Sequence, residues 1–228
     1  QLPAGGMLAA PLNEANAKPY LGSELALAAV NGPTQCVFSG SPDAIASLDR
    51  QLKERGMSGQ RLNVACAFHS PAVEPICAAF REVVRKVRLR PPQILCASNL
   101  TGRWLTDIEA TDPEYWVRHL RNTVRFGDGL RQLFAEPNRV LIALGPGRAL
   151  QGLATRHPAK TGRHVVINSL CNARDPGHFG ESDSTARDTQ SLPTSAGSRS
   201  ILVLGEFWLA GGKVDWSGFY ARERRQRV

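Results

Sequence analysis

The residue best placed to do chemistry is His69. It ends an apolar run and stands immediately before Ser70-Pro71, a pair that starts helices. A side chain at such a strand-to-helix junction commonly projects into a crevice. An imidazole titrates near pH 6.5, so it can take a proton from a hydroxyl or thiol and return it within one cycle. On local sequence alone, a lone histidine such as His69 is more often structural. No G-x-S-x-G, which would place a serine nucleophile on a sharp turn, occurs in residues 1–228. The five cysteines, Cys36, Cys66, Cys77, Cys96 and Cys171, form no CxxC pair and have no histidine at zinc-ligand spacing. They read as reduced thiols, mostly in apolar stretches, and no metal site is expected.

Two modules must position these residues. Residues 1–68 read as strand Met7–Ala10, a short helix Asn13–Lys18, strands Glu24–Val30 and Gln35–Ser39, a helix capped by Ser41 with Pro42 at its first position, and a strand Arg61–Phe68. The βαββαβ order implies a ferredoxin-like subdomain, with His69 just past its last strand. In residues 69–170 the pattern changes to helices separated by short apolar strands, an α/β unit. Helices are predicted from Ser70-Pro71 to about Val87, from Asp112-Pro113 to Arg121, over Gly127–Phe134 and over Ala149–Arg156. Strands are predicted at Ile94–Ala97, Arg139–Leu144 and Val165–Leu170. Gly145-Pro146-Gly147 is a tight turn that could also present backbone N–H groups to an anion. Residues 171–198 have the Ser, Thr, Asp, Gly and Pro bias of a flexible linker, and 199–228 resume an apolar helix that leads into a basic tail.

Composition bounds the partners. At 42% hydrophobic and 21% charged residues the chain can bury a core, which excludes global disorder. No apolar run reaches a membrane span and the N-terminus lacks signal-peptide features, so a cytoplasmic, membrane-free location is expected. The net charge of +8 favours an anionic partner. Much of it lies in Arg81, Arg85, Lys86, Arg88 and Arg90 and in Arg222, Arg224, Arg225 and Arg227, each cluster being either such a surface or simply solvated. Nucleic acid is not expected: an RNA-recognition sheet needs stacking aromatics, and Met7–Ala10 and Gln35–Ser39 lack that run.

An ordered set of segments resembles polyketide-synthase acyltransferase domains: Leu27-Ala28-Ala29-Val30-Asn31-Gly32-Pro33, Val64-Ala65-Cys66-Ala67-Phe68-His69-Ser70-Pro71, Ser98-Asn99-Leu100-Thr101-Gly102, Asp112-Pro113-Glu114-Tyr115-Trp116, His119-Leu120-Arg121-Asn122 and Gly145-Pro146-Gly147. Trp208-Leu209-Ala210-Gly211 with Asp215-Trp216 resembles the segment that follows such domains. The resemblance implies an α/β fold: the ferredoxin-like subdomain with the C-terminal part of a hydrolase-like large subdomain. It further implies transfer of a malonyl unit from malonyl-CoA to the phosphopantetheine thiol of an acyl carrier protein, with no cofactor bound in the domain itself. In that scheme His69 activates a serine. A backbone carbonyl at His119 orients the ring, Asn31 joins a hydrogen-bond network or is only a turn residue, and Phe68 either narrows the pocket to malonyl or packs in the core. Cys66 stands where malonyl-type members commonly have histidine, and Ile142-Ala143 replaces a usual Glu-Val. The serine elbow and the arginine that holds the substrate carboxylate are not in these residues. They are expected on the N-terminal part of the same domain, beside a ketosynthase, and this chain alone is expected to be inactive. The alternative is a non-catalytic docking piece that only positions the carrier protein.

Overall fold

The computed structural model describes residues 2–145, 147–169 and 196–221. The chain forms two compact units, Gln1–Glu136 with His157–Ala159, and Pro137–Arg156 with Lys160–Val228.

The first unit is built on β1 (Gly6–Ala10), β2 (Leu25–Gly32), β3 (Gln35–Gly40) and β4 (Gln60–Arg61), with α1 (Glu14–Ala17) after β1 and α2 (Pro42–Glu54) before β4. The strands lie in the order β2-β3-β1-β4 and every pair is antiparallel, which is the ferredoxin-like arrangement expected from the sequence. Side chains alternate across the sheet. Leu8, Ala10, Cys36 and Phe38 face Ile45, Leu48 and Leu52, the apolar stripe of α2. The helix starts where Ser41 accepts from the Ala44 N–H and Pro42 supplies the first position, and the chain leaves it at Gly56 with φ +71°. Met7, Ala9, Ala28, Ala29 and Val37 form the opposite face, with Val64 and Val124 packed against it.

The last strand is much shorter than expected. Arg61–Phe68 alternates in hydrophobicity, yet only Gln60–Arg61 pairs with β1. Leu62 N–H gives one further bond to the Met7 carbonyl, after which Val64 N–H bonds back to Leu62 and Phe68 N–H to Cys66. These i to i−2 bonds curl the chain off the sheet edge and across its small-residue face. Gly5 makes the crossing possible: a Cβ there would lie 2.5 Å from the Ala67 nitrogen.

Residues 69–136 belong to this same unit, whereas the sequence pattern places a boundary at 68/69. The reason is direct bonding to the sheet. Val124 forms a parallel bridge with Ala29, exchanging bonds with Ala28 and Val30, and the Thr123 hydroxyl donates to the Leu27 carbonyl at 2.6 Å. Four helices complete the unit: α3 (Glu74–Arg85), α4 (Asp107–Thr111), α5 (Pro113–Arg121) and α6 (Phe126–Phe134). The short α4 was not expected, although Thr106-Asp107-Ile108-Glu109 spells its capping box. Ile94–Ala97 is no strand. Only Ala97 bridges to Trp104, and Ile94 and Leu95 remain 82% and 73% exposed. Among the described residues no neighbouring strand supplies the ladder that this apolar run would need.

The second unit contains β5 (Val140–Ala143) and β6 (Val165–Asn168), paired in parallel, with α7 (Ala149–Thr155) between them in sequence. This βαβ unit is the α/β element expected from the sequence. It also contains α8 (Ala196–Leu209) and α9 (Trp216–Phe219). Helix α8 begins inside the segment 171–198 that composition marks as linker; the rest of that segment and the basic tail lie outside the described residues. No helix among the described residues is long and apolar enough to cross a membrane.

Candidate active site

His69 lies in the turn that follows the curled segment. Its φ is +56°, a left-handed conformation that costs a non-glycine residue roughly 1–2 kcal/mol and persists only when neighbours enforce it. Ser70 is the enforcer. Buried beside the turn, its hydroxyl donates to the Ala67 carbonyl at 2.6 Å, across His69, and accepts from the Ala72 N–H at 3.2 Å, capping the helical turn that follows.

The packing of α3 against α5 then brings a partner to the ring. Arg121 at the end of α5 pairs with Glu74 at the start of α3 at 2.9 Å, and Arg81 pairs with Glu114 at the helices' other ends. The helices run antiparallel, so Asn122, just after α5, comes close to the turn that leads into α3. His69 Nδ1 lies 3.1 Å from the Asn122 carbonyl oxygen. A carbonyl only accepts, so Nδ1 carries the proton and Nε2 carries the lone pair. Burial holds the imidazole below its usual pKa against the opposing pull of the Asn122 and His119 carbonyls. A neutral ring with a fixed tautomer is what a general base requires.

The carbonyl 3.1 Å from Nδ1 is that of Asn122, and the His119 carbonyl, expected to orient the ring, also acts on the imidazole with the lesser influence. Asn122 is the C-cap of α5, and carbonyls at a helix end have no intrahelical donor, so one is available for the imidazole. The His119 side chain also faces the site, its ring edge-on to His69 at 6.2 Å between centroids.

The family model for the acyl transferase domain matches residues 1–167. This chain belongs to the acyl transferase domain family. A phenolphthiocerol/phthiocerol polyketide synthase protein of Mycobacterium tuberculosis is 36% identical over 215 residues, covering 94% of this chain and 13% of that protein. The spectinabilin polyketide synthase system protein NorB of Streptomyces orinoci is 33% identical over 231 residues, 98% of this chain and 10% of that protein. Among solved structures, the acyl transferase domain of ZmaA aligns with a TM-score of 0.81 at 31% identity, covering 100% of this chain and 49% of that one. The acyl transferase domain of SpnD, in complex with 2-(pent-4-yn-1-yl)malonyl, aligns at 0.79 and 34% identity, covering 91% and 47%. The chain thus spans about half of these solved domains.

The other residues of interest in this acyl transferase chain fall around His69 to different degrees. Phe68 is 37% exposed, too open for a core side chain. Cys66 is a half-buried free thiol in the same curled segment. Asn31 is not in a turn: it lies within β2, where the register with β3 shifts, and the strand continues to Gly32. Helix α6 backs onto this strand end closely enough that a Cβ at Gly127 would lie 3.0 Å from the backbone of Gly32. The 122–124 segment joins the two places: Asn122 holds His69 and Val124 holds Val30, the neighbour of Asn31. Ser98, in the Ser-Asn-Leu-Thr-Gly stretch, is buried; its hydroxyl meets that of Tyr115 at 2.6 Å and takes the N–H groups of Leu100 and Thr101. In the second unit, Gly145 and Gly147 have φ of +129° and +102°, with Ser169 accepting from the Gly145 N–H and Asn168 donating to the Gly147 carbonyl. Those bonds tie the turn to β6, as a structural turn requires. Among the described residues, no group of three or more His, Cys, Asp or Glu is arranged to hold a metal ion.

Ser70 and Asn122 are the functional positions that sequence reasoning misses. The sequence shows Ser70 only as a helix cap, and nothing in it reveals that the cap hydroxyl also reaches back across the preceding turn.

Proposed function

We propose that this chain is the histidine-bearing part of an acyltransferase that moves a malonyl unit from malonyl-CoA to the phosphopantetheine thiol of an acyl carrier protein. The observation that carries the reading is the His69 imidazole, neutral, with Nδ1–H committed to the Asn122 carbonyl and the Nε2 lone pair left for a proton. The nucleophile is a serine on polypeptide outside these residues, since residues 1–228 contain no G-x-S-x-G. Nε2 takes the serine proton as the oxygen attacks the thioester carbonyl. The carbon–sulfur bond breaks, the CoA thiolate leaves with that proton, and an acyl-serine remains. In the second half Nε2 takes the proton of the pantetheine thiol, whose sulfur attacks the acyl-serine, and the serine oxygen regains the proton. Without the serine the chain by itself transfers nothing.

Phe68, beside the histidine and partly exposed, is proposed to line the acyl pocket and to disfavour an α-methyl group there. One methylene is worth about 1–3 kcal/mol in such a pocket, so the preference for malonyl is finite. Cys66, half-buried two residues earlier, and Asn31 at the end of β2 are proposed as further pocket residues. The malonyl-derived ligand of the SpnD domain supports this substrate class. The N-terminal part of the domain, an adjacent ketosynthase, the carrier protein and a cytoplasmic location complete the proposal; the net charge of +8 suits both CoA phosphates and an acidic carrier.

The test is malonyl loading onto carrier protein by the intact protein that contains this chain, with and without His69→Ala. Loss of about 10²- to 10⁴-fold is expected. Full loading by the variant would refute the assignment.

A further inference from the structure

The ring beside His69 has no part in the mechanism above, and its surroundings are unusually ordered. His119 stands edge-on to His69 at 6.2 Å and stacks on Tyr115 at 6.3 Å with 11° between planes. Trp116 closes a third side, edge-on at 6.3 Å. Tyr115 is 2% exposed and anchored through its hydroxyl to buried Ser98. The result is a column, Ser98 to Tyr115 to His119 to His69, whose far end is fixed in the core and whose near end is the base.

We propose that the His119 side chain is a positioning residue: its ring, braced by Tyr115, packs against His69 and confines that imidazole to the rotamer in which Nδ1 reaches the Asn122 carbonyl. Edge-on and stacked ring contacts at such separations favour one rotamer of a partly exposed side chain. The role rests on the acyl-transfer reading of His69, but the contact does not. Charged groups on the elements packed here are held in pairs, Arg121 with Glu74 at 2.9 Å and Arg118 with Asp112 at 3.4 Å. Both imidazoles are held below their usual pKa, first by burial in each case. Removing the His119 ring opens His69 to water and to rotation.

Diethyl pyrocarbonate, which acylates neutral imidazole, reads this directly. Trypsin separates the three histidines that matter: residues 62–81 carry His69, 119–121 carry His119, and 157–160 carry His157. The intact protein is labelled across pH as wild type, His119→Ala and His119→Phe. In the Ala variant, the labelling midpoint of His69 is expected to rise toward the ordinary imidazole value of about 6.5 and kcat for transfer to fall about tenfold with KM unchanged. The Phe variant, which keeps a ring but no titrating group, is expected to retain the wild-type midpoint. Buried His157 must stay unlabelled in all three, which shows that the fold is intact. An Ala variant with wild-type midpoint and kcat overturns the proposal, and so does a Phe variant that shifts as far as Ala. If His69→Ala itself transfers at full rate, the acyl-transfer reading fails, while the labelling midpoints still decide whether His119 positions the ring.

Discussion

The two faces of the four-stranded sheet are built on different plans. One is covered by a regular helix: Leu8 and Phe38 meet Ile45, Leu48 and Leu52 of α2 as large side chains interdigitating. The other carries Ala9, Ala28, Ala29 and Val37, and is covered by irregular backbone, the curled 62–68 segment and the 122–124 segment. Small side chains let backbone approach closely, so the covering segments are held by main-chain hydrogen bonds rather than by bulk. The histidine turn belongs to the second face. The helix-covered face stores stability, and the backbone-covered face sets the geometry of His69.

Substitutions on each face sharpen or break this contrast. Phe38→Ala, on the helix-covered face, is expected to have the largest effect, about 3–5 kcal/mol off the unfolding free energy in urea titration. Ala28→Leu, on the other face at a position with no exposure, is expected to cost less, about 1–3 kcal/mol by overpacking, yet to cut transfer more than stability by displacing the 122–124 segment. Equal transfer in the folded fraction of both variants would erase the distinction between the faces. Ser70→Ala removes the bond across the His69 turn and the cap on the helical turn that follows. It should cost about 1–2 kcal/mol and lower kcat without changing KM, as steady-state kinetics would show. The smallest effect is on pH dependence. His69, His119 and His157 are all held below their ordinary pKa by burial, so the unfolded chain binds more protons than the fold just below pH 6.5. Stability in urea should therefore fall as pH drops through that range and be regained above it.

The same contrast explains what can be read from the sequence. On the helix-covered face, Ser41-Pro42 and the spacing of Ile45, Leu48 and Leu52 locate α2 closely, and the βαββαβ order specifies the sheet. On the other face, Leu62, Val64, Cys66 and Phe68 alternate like a strand, but alternation records burial, not pairing, and the chain curls instead because Gly5 admits Ala67. His69 is legible from its motif. The motif points to the His119 carbonyl but does not single out the Asn122 carbonyl beside it, because backbone acceptors are a property of where a helix stops. Asn31 looks like a turn residue before Gly32-Pro33, and the bulge that keeps it in β2 depends on pairing with β3. The boundary at 68/69 follows a change of pattern, while Thr123 and Val124 bond the later segment to the sheet across almost a hundred residues of sequence.

The pH dependence of acyl-serine formation in the intact protein tests most directly whether His69 works as a neutral base with its lone pair on Nε2. The rate should rise along one acidic limb whose midpoint lies below the ordinary imidazole value, and in His69→Gln that limb should vanish along with most of the rate. A limb that survives in the variant with the same midpoint would assign the base to another group.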